Sequence, residues 1–393
     1  MKLNYLKTSF YIGIIALALF EILKVYFIMP MPGSQQMDSI DLAYFLHSWR
    51  WAFRILFALM IVIGTIQAFS NKRKWLPLSI IILTAGIVYL FNFKMLAEKM
   101  FLQAEKIEFS TQTNNQLAGD RLVIGVENNG DAKAYPIEFL AYHHQVRDSV
   151  GGKPVMVTYC SVCRTGRVFE PVVNGKPEDF RLVGMNHFNA MFEDVTTKSW
   201  WRQSTGEAIT GELKGNSLPE IHSIQMSVKE WFTLYPNGKI MRADDSFLMV
   251  YDSLARFERG QSKGSLTRTD SLSWKDKSWV VGIQIGNYSK AYDWNDLKKQ
   301  VIINDSIGLT PIVLVLSSDG QSFTAFERPS AARFTVTNNI MVGEDKAYNL
   351  LGEDLTTPGN KLKKLYAYQE FWHSWLTFHP MTQQYSVNKN RNN

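Results

Sequence analysis

Cysteine is scarce in this chain: Cys160 and Cys163 are the only two in 393 residues. That excludes a framework of several disulfides and a zinc site built from four thiolates. Other absences narrow the function. There is no G-x-S-x-G, no phosphate-binding glycine loop and no H-E-x-x-H, so the serine hydrolases, nucleotide hydrolases and zinc proteases that carry those motifs find no support. Long apolar runs are missing after residue 93. Net charge is missing there too. The first hundred residues hold ten Lys and Arg against four Asp and Glu, which accounts for the whole-chain excess of +6. A neutral remainder with no basic cluster argues against a nucleic-acid partner.

What is present begins with three apolar runs, from about 10 to 29, 51 to 69 and 75 to 93. Each is long enough to cross a hydrocarbon core of roughly 30 Å. No small-x-small cleavage site follows the first, only Met29-Pro30-Met31-Pro32, so it reads as an anchor rather than a signal peptide. Lys2 and Lys7 precede the first run, and Asn71-Lys72-Arg73-Lys74 makes a tight basic turn between the other two. By the positive-inside rule these segments are cytoplasmic, and residues 95–393 lie on the outer side. Glu21 and Lys24 can pair on one helix face while Arg54 snorkels to the interface. The alternative is a polar site between helices, since intramembrane charge is often functional.

Residues 95–119 read as a connector. Lys94–Gln103 has helical periodicity and is expected to continue the third span. From Asp120 the pattern changes to short runs broken by Gly, Asn and Asp. Strands are expected at 122–127, 132–135, 155–159, 166–172 and 180–183. A short helix is expected from Pro136 through Tyr142, and another at 227–235. The fold class is mainly β, of α+β type.

The β-rich part repeats itself. Shifted by 157 residues, Gly125 falls on Gly282, Lys133-Ala134-Tyr135 on Lys290-Ala291-Tyr292, Asp148-Ser149 on Asp305-Ser306 and Phe169-Glu170 on Phe326-Glu327, all without a gap. Trp231-x-Thr233-x-x-Pro236 matches Trp375-x-Thr377-x-x-Pro380 at a shorter shift. This gives a tandem duplication, 120–236 and 278–385, joined by a linker at 237–277. The differences are informative. Cys160 falls on Ser317, Cys163 on Gly320, His143 on Gln300 and His144 on Val301. A residue needed only for folding tends to appear in both copies. Cys160, Cys163 and His143, with His144 in support, are therefore the candidates for chemistry.

Two thiols in C-x-x-C can exchange a disulfide, hold a soft metal or close an inert bridge. Thr165-Gly166 turns into another strand, so this is not the strand-to-helix site of a thioredoxin fold. Stabilisation of a thiolate would come from Arg164, Arg167 or a nearby imidazole. Zinc would need Cys160, Cys163 and His143, with His187 or His144 as a fourth ligand, and copper could take a set of the two cysteines and one histidine. A bridge across so short a loop stabilises little on the chain-entropy model, which weakens the inert reading. No nucleotide or flavin fingerprint occurs, so no cofactor is required. His187 lies in a polar-aromatic turn that could approach the thiols. In Ser199–Glu207, the residues Trp201, Arg202 and Gln203 suit a pocket wall, and the plainer reading is a tryptophan-anchored hairpin with Arg202 paired to Glu207. His222 and His373 read as surface or core residues, His47 as interfacial, and His379 as a packing residue in register with Tyr235.

Taken together, Val123–Glu127, Ala132–Pro136, Tyr142-His143, Asp148–Gly152, Thr158-Tyr159-Cys160-x-x-Cys163-x-Thr165-Gly166, Ser199–Gly206 and the second-copy Val281-Gly282 with Lys290-Ala291-Tyr292 resemble a bacterial family, domain of unknown function 3179. The resemblance covers about 120–385 and leaves out the three spans. Where that family often has Trp-His-Glu, this chain has Tyr142-His143-His144, so only His143 carries over. The family includes selenoproteins at this cysteine motif, which implies redox chemistry over structural zinc. The resemblance also implies a bacterial cytoplasmic membrane, with the duplicated domain periplasmic or extracellular. The expectation is a membrane-anchored thiol-disulfide oxidoreductase, with Cys160 as attacking thiolate, Cys163 as resolving thiol and His143 as base or thiolate partner. Its partners would be membrane lipid and a protein redox partner. A copper or zinc module is the competing class, and a protein with an inert disulfide is the third.

Overall fold

The computed structural model describes residues 2–70 and 72–387, so Asn71 of the basic turn and residues 388–393 lie outside the described residues. The compact units do not follow the order of the chain. One comprises Met1–Leu102, Glu178–Arg202 and Glu207–Ser217; the other comprises Gln103–Pro177, Gln203–Gly206 and Leu218–Asn393.

The first unit contains three helices long and apolar enough to cross a membrane, Tyr5–Tyr26, Arg50–Ala68 and Trp75–Lys94. The first begins earlier than its apolar run suggests, because helix tolerates the polar residues that precede it. Arg54 does not snorkel. Its Nε donates to Glu21 Oε1 at 2.6 Å, Lys24 reaches Glu21 Oε2 at 2.8 Å, and Asn92 Nδ2 donates to the same oxygen at 2.8 Å. Glu21 is fully buried, and a buried carboxylate needs several donors. This cluster ties all three spans together. The third span also does not run on to Gln103. It ends in a π turn at Leu90–Lys94, Leu96 is extended, and a single helical turn follows at Ala97–Met100. The break turns Glu98 onto Arg181 at 3.2 Å. Arg181 belongs to an antiparallel sheet ordered Ala208–Thr210, Trp200–Arg202, Asn189–Asp194, Phe180–Asn186.

In the second unit one series of elements occurs twice. The strands Leu122–Asn128 and Asp131–Pro136 form a hairpin, the helix Ile137–His143 follows, and Gln145–Val150, Lys153–Cys160 and Thr165–Phe169 form a second sheet. Trp279–Ile285, Tyr288–Asp293, the helix Trp294–Gln300 and the strands Ile302–Ile307, Thr310–Leu316 and Phe323–Glu327 repeat the pattern. Each hairpin has an antiparallel strand on one side, Ile224–Ser227 or Ala367–Phe371, and a short parallel strand on the other, Lys239–Met241 or Gln383–Gln384. Side chains match as well. Tyr135 donates to Asp148 at 2.8 Å and Tyr292 to Asp305 at 3.1 Å, with Lys133 and Lys290 paired to the same carboxylates.

Both expected short helices form. Ser227 caps the second, its side chain accepting from Glu230 N at 3.1 Å. Strand Gln145–Val150 has no counterpart in the sequence expectation, because its Arg, Asp and Ser read as loop.

In each copy the last helix lays a fully buried tryptophan, Trp231 or Trp375, across a glycine of the hairpin, Gly125 or Gly282. A Cβ at either glycine would run into the indole. Gly125→Ala and Gly282→Ala are each expected to destabilise the protein by about 1–3 kcal/mol through overpacking. Thermal melts of the full-length protein in detergent check this. An unchanged melting temperature in both variants would show that the indoles move aside freely.

Candidate functional site

The C-x-x-C sits at the tip of a β hairpin. Cys160 ends one strand and pairs in register with Thr165, and Ser161–Arg164 makes the turn. Arg164 closes that turn in the left-handed region, with φ of +56°. Both thiols are buried, Cys160 at 2% and Cys163 at 0% exposure. They lie 3.3 Å apart and are not joined by a disulfide. No helix follows, as the Thr-Gly pair predicts.

The second copy encloses this loop. Phe371 N donates to Cys163 O at 2.9 Å. Glu370, next to it on strand Ala367–Phe371, takes Thr165 Oγ1 at 2.9 Å and Arg167 Nη2 at 2.6 Å on one oxygen, and Ser374 Oγ at 3.0 Å on the other. Arg167 also stacks on Tyr368, 3.0 Å from the ring centroid, and donates to Ser204 O. Gln203 is fully buried and spans the two strands that flank the motif, donating to Thr158 Oγ1 and Thr165 O, each at 3.1 Å.

Arg164 is turned to a different task. Its guanidinium donates to the carbonyls of Phe257 and Glu258, the last residues of helix Leu248–Glu258, and lies 3.6 Å from the Trp279 ring centroid. A cation there suits the helix C-terminus, where carbonyls lack helical partners. A cation whose charge couples to both thiols is Lys277, from the end of the linker. Its Nζ donates to Val162 O at 2.8 Å, to Leu266 O at 2.7 Å and to His373 Nε2 at 3.0 Å. Burial pushes the Lys277 ammonium down to about 8, while the charges of Cys163 and Cys160 pull it back up. The coupling is mutual, so Lys277 favours the thiolate form of each cysteine. His373 is held neutral, at about 4, first by burial and then by the Lys277 charge, and it also bonds the Val162 carbonyl.

His143 and His144 end the helix Ile137–His143 and its cap. His143 is fully buried, with Nε2 2.5 Å from the Tyr251 hydroxyl and its ring edge-on to Phe247. His144 Nδ1 lies 3.1 Å from Tyr159 O, in the strand that carries Cys160, and burial holds this imidazole down to about 4. His187 belongs to the other unit, where it meets Gln35 O and Asp38 at 3.1 Å each. Trp201 and Arg202 are in that unit too. Trp201 donates to Asp194 at 3.0 Å, and Arg202 reaches Glu207 and Asn186, the anchored hairpin of the plainer reading. Among the described residues no three His, Cys, Asp or Glu side chains form a group that could hold a metal ion.

The model of a protein family of unknown function, DUF3179, matches residues 103–382, well over half of the chain. The chain belongs to the DUF3179 family. Comparison with curated proteins and with solved structures finds no match. The three apolar helices precede the DUF3179 match, whereas the thiol pair, Lys277, Glu370 and His373 all fall inside it.

Lys277, Glu370 and His373 were not singled out from the sequence. A signal exists for two of them. At the shift that aligns Trp231 with Trp375, Glu370 falls on Met226 and His373 on Lys229, so these residues also differ between the copies. Lys277 lies in the linker and carries no such mark. In this DUF3179 member, Glu370→Ala removes the partner of a buried guanidinium. It is expected to lower stability by about 3–5 kcal/mol. Urea unfolding of the full-length protein in detergent tests that figure, and a loss under about 1 kcal/mol would mean that Arg167 finds another partner.

Proposed function

We propose that Cys160 and Cys163 form a dithiol–disulfide couple that exchanges electrons with a disulfide substrate. The observation that carries this reading is the pair of buried, unbridged thiols 3.3 Å apart in the field of the Lys277 ammonium. A disulfide bond is about 2.0 Å long, so closing it needs only a small movement at a hairpin tip. Lys277 supports the thiolate, which is the nucleophile in exchange.

In the proposed reaction the Cys160 thiolate attacks one sulfur of the substrate disulfide. That S–S bond breaks, one substrate thiolate leaves and a mixed disulfide remains. Cys163 gives its proton to the departing substrate thiolate, its own thiolate attacks the Cys160 sulfur, and the second substrate thiolate leaves. The substrate gains two electrons and the cysteine pair loses two. Both thiols are buried, so a protein partner has to open the segment 160–164 before it can react. The positive-inside rule supports an outward-facing couple, and an oxidising compartment is where such a disulfide persists.

The test is a titration of the full-length protein against a glutathione redox buffer, after metal content has been measured by mass spectrometry. A metal-free protein with a reversible midpoint above about −250 mV is expected. A disulfide that resists reduction below about −300 mV would make the bridge structural. Stoichiometric copper or zinc that is lost on His143→Ala would replace the redox reading with the metal one. Lys277→Met is expected to move the cysteine titration to higher pH, followed by thiolate ultraviolet absorbance. An unchanged titration would remove Lys277 from the site.

A further inference from the structure

The first unit contains a cavity of about 620 Å³ at one end of the spans, a volume in the range of small-molecule sites. It lies where the end of the first span, the start of the second and the end of the third meet the sheet that holds Arg181. Five cations line it: Lys24, Arg50, Arg54, Arg181 and Lys198. Four carboxylates lie among or beside them, and each is already engaged; Asp194 takes Thr197, Ser199 and the Trp201 indole. Glu21 holds Lys24 and Arg54. Glu193 takes Arg181 at 2.8 Å and the Trp200 indole at 2.9 Å, and Glu98 takes Arg181 at 3.2 Å. His47, also on the wall, adds no charge, since burial and then the Arg50 and Arg181 charges hold it down to about 3.

Arg50 and Lys198 take no part in these pairs, although the Glu193 and Glu98 charges reach Arg50. Among the described residues no carboxylate pairs with Arg50 or Lys198. Arg50 donates to the His47 carbonyl at 2.6 Å and is the first residue of the helix Arg50–Ala68. The first amides of that helix lack helical acceptors and its dipole favours an anion. Lys198 is exposed in a turn whose backbone is left-handed, with φ of +59°. The cavity therefore combines a surplus of cations, a long helix that starts on its wall and apolar patches from Ile28, Leu96 and Val183.

We propose that this cavity binds a phosphate-bearing anion, with Arg50 and Lys198 as its phosphate ligands. Arg offers a planar fork of donors that matches phosphate oxygens, and Lys adds a mobile point charge. The apolar patches accommodate the carbon stem of the ligand. Two sources carry this chemistry: the headgroup of an anionic phospholipid, which lies at the depth where membrane spans end, and a soluble phosphate ester.

The test uses the full-length protein in a non-ionic maltoside detergent. Calorimetry measures binding of a short-chain phosphatidylglycerol and, separately, of glycerol phosphate. The wild type is expected to bind at least one of them, and Arg50→Gln and Lys198→Gln are each expected to weaken that binding by about tenfold or more. Binding of the lipid alone identifies a headgroup site, and binding of both probes identifies a site for a phosphate ester in general. Lys198 is exposed and outside the ion-pair cluster, so its variant reports even where Arg50→Gln fails to fold. The proposal is overturned when the wild type binds neither probe, or when both variants bind as the wild type does.

Discussion

One buried carboxylate holds the thiol loop in place. Glu370 comes from the second copy and gathers Thr165, Arg167 and Ser374 onto its two oxygens in the interior. A charge so enclosed is tolerated only when its donors are fixed, and fixing them fixes the hairpin on which Cys160 and Cys163 stand. Phe371, the next residue, binds the Cys163 carbonyl directly. The cysteine-free copy is therefore the frame against which the cysteine-bearing copy is positioned.

The relation runs the other way as well. Ser317 and Ser322 bracket the matching hairpin tip in the second copy. Ser317 donates to Glu230 at 3.0 Å, and Ser322 Oγ accepts from Ser227 N at 2.8 Å, both partners lying in the first copy. Each tip rests on the start of the other copy's last helix. One tip carries hydroxyls that only bond; the other carries thiols that can also react. The two copies share the scaffold residues, and the thiols occur in one copy alone. Lys277 comes from neither copy: it ends the linker, is buried beside the loop and donates to the Val162 carbonyl.

Much of this was legible beforehand, and the reasons are local. Apolar runs and turn residues act through near neighbours, so the spans and most strands and short helices stand close to their expected places. The 157-residue register identified the shared turns and singled out Cys160, Cys163 and His143. Gln203, a pocket-wall candidate by composition, braces the strands beside the motif. Of the two readings of Arg54, the polar site between helices is the one its contacts match, and its partner Glu21 lies 33 residues away on another helix. Strand Gln145–Val150 was missed because its polar residues suit an edge as well as a loop.

The sequence by itself determined that this is a β-rich, duplicated DUF3179 protein behind three apolar helices, with one pair of thiols in one copy. Periodicity, spacing and internal comparison carry that much, because each depends on residues near in the chain or in register. Only the tertiary structure decided which groups surround the thiols. Lys277, His373 and Glu370 lie more than a hundred residues beyond Cys163, and no local pattern brings them to it. Tertiary packing likewise separated His187, Trp201 and Arg202 from the unit that holds the cysteines. Charge in a folded protein acts through space and burial, and neither is written in the order of the residues.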